Sequence, residues 1–372
     1  MADHYRSHRP DCEGQPLYIL PQPVNDPPSM PSLADYSLEE LSALFVQWGH
    51  LPIHAKRLLR AYYDQAGRPA LDQVSIAHRL RDRAVAEIPL LATRVVTRSV
   101  SADGTLKLLL ACPDGAQVES VLMPDYRPDR SAGCLSTQAG CAMACDFCAT
   151  GVQGFTRNLT TGDIIEQYLA LKAESAAVGR ILRTIVLMGM GEPLLNLANV
   201  TKAIRLLAGD HTAHLGWRQI TLSTVGLLPQ LQQFVDLKLN VQLALSLHAP
   251  DDQLRAQLVP PARRFAIADL LALAQLHQEN TGRTTVIQYC LLASVNDSPT
   301  QALALAQLLA GRRMHVNLLT YNPTGRPYQS SPPKAIDAFL GTLRSNGIVA
   351  HLRRSRGQDI AAACGQLRTI EG

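Results

Sequence analysis

Three cysteines, Cys141, Cys145 and Cys148, stand in the stretch GCAMACDFCATG with the pattern C-x3-C-x2-C, framed by small residues. Three thiolates on one short loop can converge on one face of a metal centre. A structural zinc site takes four protein ligands, and a four-iron cluster usually takes four cysteines. With three, one iron is left open to a ligand from outside the protein, as catalytic metals keep an open position. The plainer alternative is a zinc loop completed by the distant Cys134 or Cys290. Eight cysteines in a reducing compartment do not indicate a disulfide framework. Four of them, Cys134 and the triplet, crowd into one short stretch, which points to ligands or redox chemistry.

The triplet spacing, with Phe147 ahead of its last cysteine, resembles the radical SAM superfamily. The resemblance implies a 4Fe-4S cluster whose open iron chelates the amino and carboxylate groups of S-adenosylmethionine (SAM). The stretch MGMGEP directly follows a strand-like run. Its glycines, Gly191 among them, let backbone approach a ligand, and Glu192 offers a carboxylate to an ammonium group. Alone this is a turn; after the triplet it resembles the superfamily's contact to the SAM amine. Ser223 in LSTVG, Ser246, Leu247 and His248 in LSLHA, and Asn322 in TYNP recur at strand ends on one predicted rim. A polar residue there is ordinarily satisfied by neighbouring backbone; a shared rim favours a cofactor pocket.

The elements that must position these residues follow from the hydrophobic pattern. The chain has 372 residues, 47% hydrophobic and 18% charged, enough for one large and one small domain with a sizeable core. Residues 1–32, polar and proline-rich, are expected to be a disordered tail. SLEELSALFVQ opens with a capping box, Ser37 and Glu40, and reads as helical. In TRVVTRSVSADGTLKLLLACPDGAQVESVLMP, breaks at Asp103-Gly104 and Asp114-Gly115 predict a three-stranded meander. Residues 33–125 are therefore expected to form a small N-terminal α+β accessory domain. After Cys134, strand-like runs such as TIVLMGMGEP, QITLST, NVQLALSLH, TTVIQYCLL and HVNLLTYNP alternate with helical ones, one opened by Pro299. About six βα units predict an α/β fold, a partial (β/α)6 barrel over residues 126–372, with ligands at the carboxyl ends of its strands.

The combination of CLSTQAGCAMACDFCATGVQGFTRNLT, VLMGMGEPLLN, LALSLHAPDDQLRAQLVP and RSRGQDIAAACGQL closely resembles the RlmN/Cfr family of RNA adenine methyltransferases, from about Asp103 to Leu367. The resemblance implies methylation of a ring carbon that is no nucleophile, by way of protein sulfur. Cys364 would accept a methyl group from one SAM. A radical made from a second SAM would take hydrogen from that methyl, and the methylene would add to the adenine. By position Glu119 matches the family's proton acceptor, although the linker to Cys134, MPDYRPDRSAG, is a couple of residues longer than the family's pattern; an acid on the solvent face of a meander strand is the alternative. Cys134 would release the product through a transient disulfide with Cys364. Cys12, Cys112 and Cys290 carry no argued role, and the last two read as core.

The same resemblance implies an RNA substrate, 23S ribosomal RNA at the peptidyl transferase centre and tRNA in dual-specificity members, and an electron donor such as flavodoxin or ferredoxin. A formal charge of +4, from 35 Lys and Arg against 31 Asp and Glu, permits an anionic partner. Phosphate contacts are expected among the basic clusters in AKRLLRAYY, Arg263-Arg264, Arg312-Arg313 and Arg353-Arg354 with Arg356. No apolar run is long enough for a membrane span, and the start of the chain lacks a signal peptide's apolar stretch, so a cytoplasmic protein is expected; a monomer is the expected state, though no motif speaks to it. Carbon 2 of the adenine is the expected target, with Cfr-type methylation of carbon 8 as the alternative. From other classes, a radical SAM activating enzyme acting on a protein would need the triplet but not Cys134 and Cys364, and a zinc-dependent RNA-binding module would need no cofactor.

Overall fold

The computed structural model describes residues 30–368. The expected tail lies, up to residue 29, outside the described residues, as does Cys12. Three helices come first, α1 (Leu38–Gln47), α2 (Ile53–Asp64) and α3 (His78–Glu87). The capping box at α1 forms as the sequence predicts: the Ser37 amide donates to Glu40 Oε2 at 2.8 Å and the Glu40 amide to Ser37 Oγ at 3.2 Å. Tyr62 and Tyr63 in α2 are fully buried, so the aromatics of AKRLLRAYY belong to the core.

The meander is β1 (Arg94–Val100), β2 (Leu106–Ala111) and β3 (Gln117–Pro124), all antiparallel. Its turns fall at the two Asp-Gly pairs. Gly104 and Gly115 have φ of +81° and +87°, the left-handed region a glycine enters without steric cost. The sheet does not stop near residue 125. β3 pairs antiparallel with β4 (Arg130–Cys134), the first barrel strand, so meander and barrel share one hydrogen-bond ladder.

A short hairpin, β5 (Gln138–Gly140) with β6 (Phe155–Asn158), brackets the cysteine loop and its brief helix α4 (Ala149–Gln153). The barrel continues through α5 (Thr161–Ala177), β7 (Ile181–Leu187), α6 (Leu197–Ala208), β8 (Ile220–Thr224), α7 (Leu228–Asp236) and β9 (Gln242–Ser246). Then come α8 (Asp252–Leu258), α9 (Ile267–Thr281), β10 (Thr285–Leu291), α10 (Pro299–Leu309), β11 (Met314–Thr320), α11 (Pro333–Ser345) and β12 (Ala350–Arg353). Strand order β4-β7-β8-β9-β10-β11-β12 is parallel throughout, giving six βα units and a closing seventh strand. These strands are apolar on both faces, Leu243, Ala244 and Leu245 in β9 for example, because helices cover the sheet. Among the described residues no helix is long and apolar enough to cross a membrane.

Candidate active site

The carboxyl ends of the parallel strands carry the polar residues that the sequence places on one rim. Cys134 ends β4, Ser223 lies near the end of β8, Ser246 ends β9, Cys290 is the penultimate residue of β10, and Asn322 follows β11 by two residues. The seven described cysteines are all free thiols, and none forms a disulfide.

The cysteine loop is held by backbone. The Cys141 amide donates to Gly154 O at 2.7 Å, the Cys148 amide to Cys145 O at 3.1 Å, and the Asp146 amide to Leu258 O at 3.0 Å. Gly151 is required here, since a Cβ would meet Cys145 N at 2.8 Å. From the far side, Thr324 Oγ1 donates to Phe147 O at 3.1 Å, Tyr328 OH to Asp146 Oδ2 at 2.5 Å, and Arg326 pairs with Asp146 Oδ1. Burial pushes the Cys141 thiol up to about 12, with a further rise from Cys148 and Glu192. Cys145 is raised well above the usual thiol range by burial and by both sister cysteines. The side chains are not drawn into a closed ligand set: among the described residues no three His, Cys, Asp or Glu groups stand close enough to hold a metal ion. The donor set nevertheless fits an iron–sulfur cluster. The Cys145 thiol is raised by charge on both Cys141 and Cys148, and the Cys141 thiol by charge on Cys148, a resistance that a cationic metal removes by binding the thiolates.

Glu192 is 3% exposed, and burial raises its carboxyl pKa. Oε1 accepts from Thr224 Oγ1 at 2.6 Å and the Leu194 amide at 3.0 Å, and Oε2 from the Val225 amide at 3.0 Å. A carboxylate offers about four acceptor sites, so one remains for an ammonium group. The loop before it is clamped by the Thr137 and Gln138 amides, both donating to Met190 O, and Gly191 has φ +101°. Ser223 and Ser246 touch through their hydroxyls at 3.2 Å. His248 is buried with φ +61°, and its Nδ1 accepts from the Cys290 amide at 3.1 Å. Burial brings its pKa down to about 3, so the ring is neutral and carries its proton on Nε2. Leu247, between them, is fully buried, and its amide donates to Gln288 O at 3.0 Å. The His248 ring stands edge-on to Phe147 of the cysteine loop, centroids 4.9 Å apart. Asn322 Nδ2 donates to Cys364 O at 3.1 Å, while its Oδ1 accepts from Gln358 at 2.6 Å. This amide therefore bears on the Cys364 segment.

That segment, residues 357–368, is a strap of irregular chain fastened along its length. The Gly357 amide donates to Asp103 Oδ2 at 3.1 Å, and Asp359 accepts from Ser101 Oγ at 2.6 Å. Lys107 Nζ reaches Ala361 O at 3.2 Å, and Gly365 O accepts from the Ala149 amide at 2.8 Å. Cys364 itself is exposed to solvent, yet the walls around it withdraw enough water to push its thiol up to about 11, helped by Cys148.

Glu119 is 4% exposed, so it does not lie on a solvent face of the meander. Oε1 pairs with Lys107 Nζ at 2.7 Å, and Oε2 accepts from the Arg368 amide, at the end of the strap, at 2.9 Å. Burial raises its pKa, against the opposing pull of Lys107. Cys134 is directly opposite Val121 in the β3/β4 ladder, two residues along the strand from Glu119. Burial pushes its thiol up to about 12, and a charge on Cys364 is felt there as well. The structure thus brings Glu119, Cys134 and Cys364 to one end of the barrel, beside the cysteine triplet. Cys112, directly after β2, and Cys290, in β10, are buried as the sequence predicts, though Cys290 also feels charge on Cys364 and Cys148.

Two residues escaped the sequence reading. Lys107 shares a face with Glu119: the direct partner of Glu119 is Leu109, and Lys107 is the next side chain on that face. The hairpin register implied by Asp114-Gly115 was the signal that could have found it. Arg255 of α8 is 1% exposed beneath the cysteine loop, a position its amphipathic helix does not announce. Of the basic clusters, Arg312-Arg313 precede β11 and so sit at the amino ends of the strands, away from the rim. Arg353, which ends β12, and Arg354 are exposed and lead directly into the strap.

The radical SAM superfamily profile matches residues 135–306, which include the triplet, Glu192 and the β8 and β9 strand ends. A probable dual-specificity RNA methyltransferase RlmN 1 of Opitutus terrae is 53% identical over 353 residues, covering 92% of this chain and 98% of that protein. A similarly named RlmN of Thermosynechococcus vestitus is 41% identical, covering 90% of this chain and 97% of its own. Among solved structures, a radical SAM methyltransferase from Sphaerobacter thermophilus superposes with a TM-score of 0.86 at 40% identity, covering 91% of this chain and 99% of that one. With the triplet inside the superfamily match and 53% identity to an RlmN relative over 92% of its length, the chain belongs to the RlmN family of radical SAM RNA methyltransferases.

Proposed function

We propose that the protein methylates carbon 2 of an adenosine in 23S ribosomal RNA and in tRNA, with Cys364 as the carrier of the methyl group. The observation that supports this most directly is the meeting of Glu119, Cys134 and Cys364 at one barrel end, beside three cysteines suited to a 4Fe-4S cluster. Cys141, Cys145 and Cys148 would hold that cluster, and Glu192, Gly191, Ser223, Ser246, Leu247, His248 and Asn322 line the rim where SAM would lie. When bound, the cluster and SAM together supply a carbon-centred radical that can take hydrogen from an S-methyl group.

Each protein group has a task that its surroundings suit. Cys364 is exposed, as a sulfur that must meet both a methyl donor and a base needs to be. Its strap fixes the carbonyl through Asn322 rather than the thiol, leaving the side chain free to react. Glu119 takes the proton from the ring carbon; its raised pKa makes it a stronger base than an exposed carboxylate. Lys107 keeps it ionised between turnovers and stays hydrogen-bonded to the strap. Once the adduct has given up one electron to the electron-donor system and its ring proton to Glu119, the Cys134 thiolate attacks the Cys364 sulfur; its electrons form the S–S bond, the carbon–sulfur pair stays on the methylene carbon, and that carbon takes up a proton to become the methyl group of the released base. External thiols reduce the disulfide. The target base must leave its stack to reach the thiol. The electrons come from a donor such as flavodoxin or ferredoxin, and the enzyme works as a monomer.

The RlmN name shared by the relatives supports carbon 2 over the Cfr-type carbon 8, and the convergence of the two distant cysteines with Glu119 supports RNA over a protein substrate. The test is mass spectrometry of nucleosides from ribosomal RNA and tRNA, each treated separately with enzyme, SAM and reductant. 2-Methyladenosine in both is the expected result. 8-Methyladenosine alone would overturn the reading of the target atom, and no methylated adenosine in either RNA would overturn the substrate.

A further inference from the structure

The rim residues account for the face of the cysteine loop that meets SAM; its other face rests on α8. There Cys145, Val225, Leu258 and Val259 form one apolar cluster with Leu254 against it, and the Asp146 amide donates to Leu258 O. Into this apolar floor α8 inserts Arg255, one of the largest fully buried side chains of the protein. Nη2 donates to Val225 O, but Nε and Nη1 have no hydrogen-bond partner among the described residues. The carboxylate that Arg255 feels, Asp252, is exposed and accepts from the Ile267 amide at 2.8 Å. Glu192, on the other side of the Val225 peptide, has its oxygens on Thr224, Leu194 and Val225.

A guanidinium buried in apolar surroundings with two nitrogens unmatched is costly unless an anion answers it. Asp252 is exposed and already hydrogen-bonded, and the anion-forming group packed into the same apolar floor is Cys145. We propose that Arg255 is the buried counter-charge and hydrogen-bond donor to the sulfur atoms of the iron–sulfur centre carried by Cys141, Cys145 and Cys148. This rests on the cluster assignment made under Proposed function. With three thiolates the centre is anionic, and it becomes more so on taking up an electron. A fixed cation donating to its sulfurs therefore favours the reduced state and raises the reduction potential.

The test is an anaerobic redox titration of the full-length reconstituted protein, followed by electron paramagnetic resonance, for the parent chain, R255M and R255K. R255M is expected to lower the reduced-to-oxidised ratio at a fixed potential about tenfold, which is a 59 mV shift for a one-electron couple. R255K, which keeps the charge but not the fork of donors, is expected to fall in between. If R255M does not fold, the R255K shift alone decides, and no shift overturns the proposal. An unchanged potential in a cluster-loaded R255M also overturns it, as does unchanged potential with weakened SAM binding, which would assign the guanidinium to the SAM carboxylate. Absence of a cluster from the parent chain is a separate result, which removes the cluster assignment itself.

Discussion

At the scale of single residues, Lys107 makes the sharpest prediction. It holds Glu119 Oε1 at 2.7 Å and lowers the pKa of a carboxyl that burial raises. Removing the ammonium leaves burial unopposed, so the carboxyl pKa rises further. A base works only when ionised, so in K107M the acid limb of the pH–rate profile should move to higher pH, with the alkaline plateau less affected. A profile that scales down uniformly would mean that Lys107 acts through the strap alone. C134A and C364A should part ways: C364A abolishes product with cluster absorbance unchanged, whereas C134A accumulates protein covalently joined to RNA, read as a denaturation-resistant band. Equal, adduct-free loss in both variants would contradict the roles given to them. The cysteine triplet stands out by its spacing, and Glu192 and Cys364 through motifs, MGMGEP and RSRGQDIAAACGQL, that resemble the family's. The partners of Glu119 were not, since the Arg368 amide that binds it lies 249 residues away and no local pattern connects the two.

At the scale of elements, turns and caps were readable and continuity was not. Asp-Gly pairs, the Ser37 box and Pro299 each fix a backbone conformation by local chemistry, and each appears where the sequence places it. The first barrel strand, RSAGC, was passed over because it has no hydrophobic run. It is a strand because β3 and β7 offer ladders on either side of it. The strap shows no regular pattern either; it is organised by what it touches. Substituting both Asp103 and Asp359 with Ala should free its first turn from the meander, seen as faster amide hydrogen exchange over residues 357–368 and a several-fold fall in product, with iron content unchanged. Unaltered exchange there would show that the strap is secured at its other contacts. In the loop after β7, Gly191 has φ +101° and an added Cβ would meet the Gln138 backbone at 2.7 Å. G191A should therefore cost about 1–3 kcal/mol locally and weaken SAM binding measured by calorimetry.

At the scale of the whole molecule, meander and barrel are joined by more than the β3/β4 ladder. Arg157, 9% exposed, binds Asp163 at the start of α5 at 2.8 Å and Asp114 in the second meander turn at 2.5 Å. Asp163 is 5% exposed and also closes the Thr160 capping box, so losing Arg157 leaves a buried carboxylate without its cation. R157M should destabilise the protein by about 3–5 kcal/mol, measured by denaturant unfolding. Because the sheet is shared, probes in the meander and in the barrel should report the same midpoint; separate midpoints would show two independently folding parts.

Glu119 and Cys134 sit on neighbouring strands of that shared sheet, while Cys364 comes from the strap. The spacing of the first two is thus set by β-pleat geometry and barely varies from one molecule to the next. Cys364 reaches them along a tether stitched by the side chains of Asp103, Lys107 and Asn322 and by the Ala149 amide. On the proposed mechanism, the stationary pair sets the precision of the reaction and the tether its timing. Substitutions along the strap's flanks can then accumulate without disturbing the spacing of Glu119 and Cys134, across which that mechanism would hand over proton and sulfur.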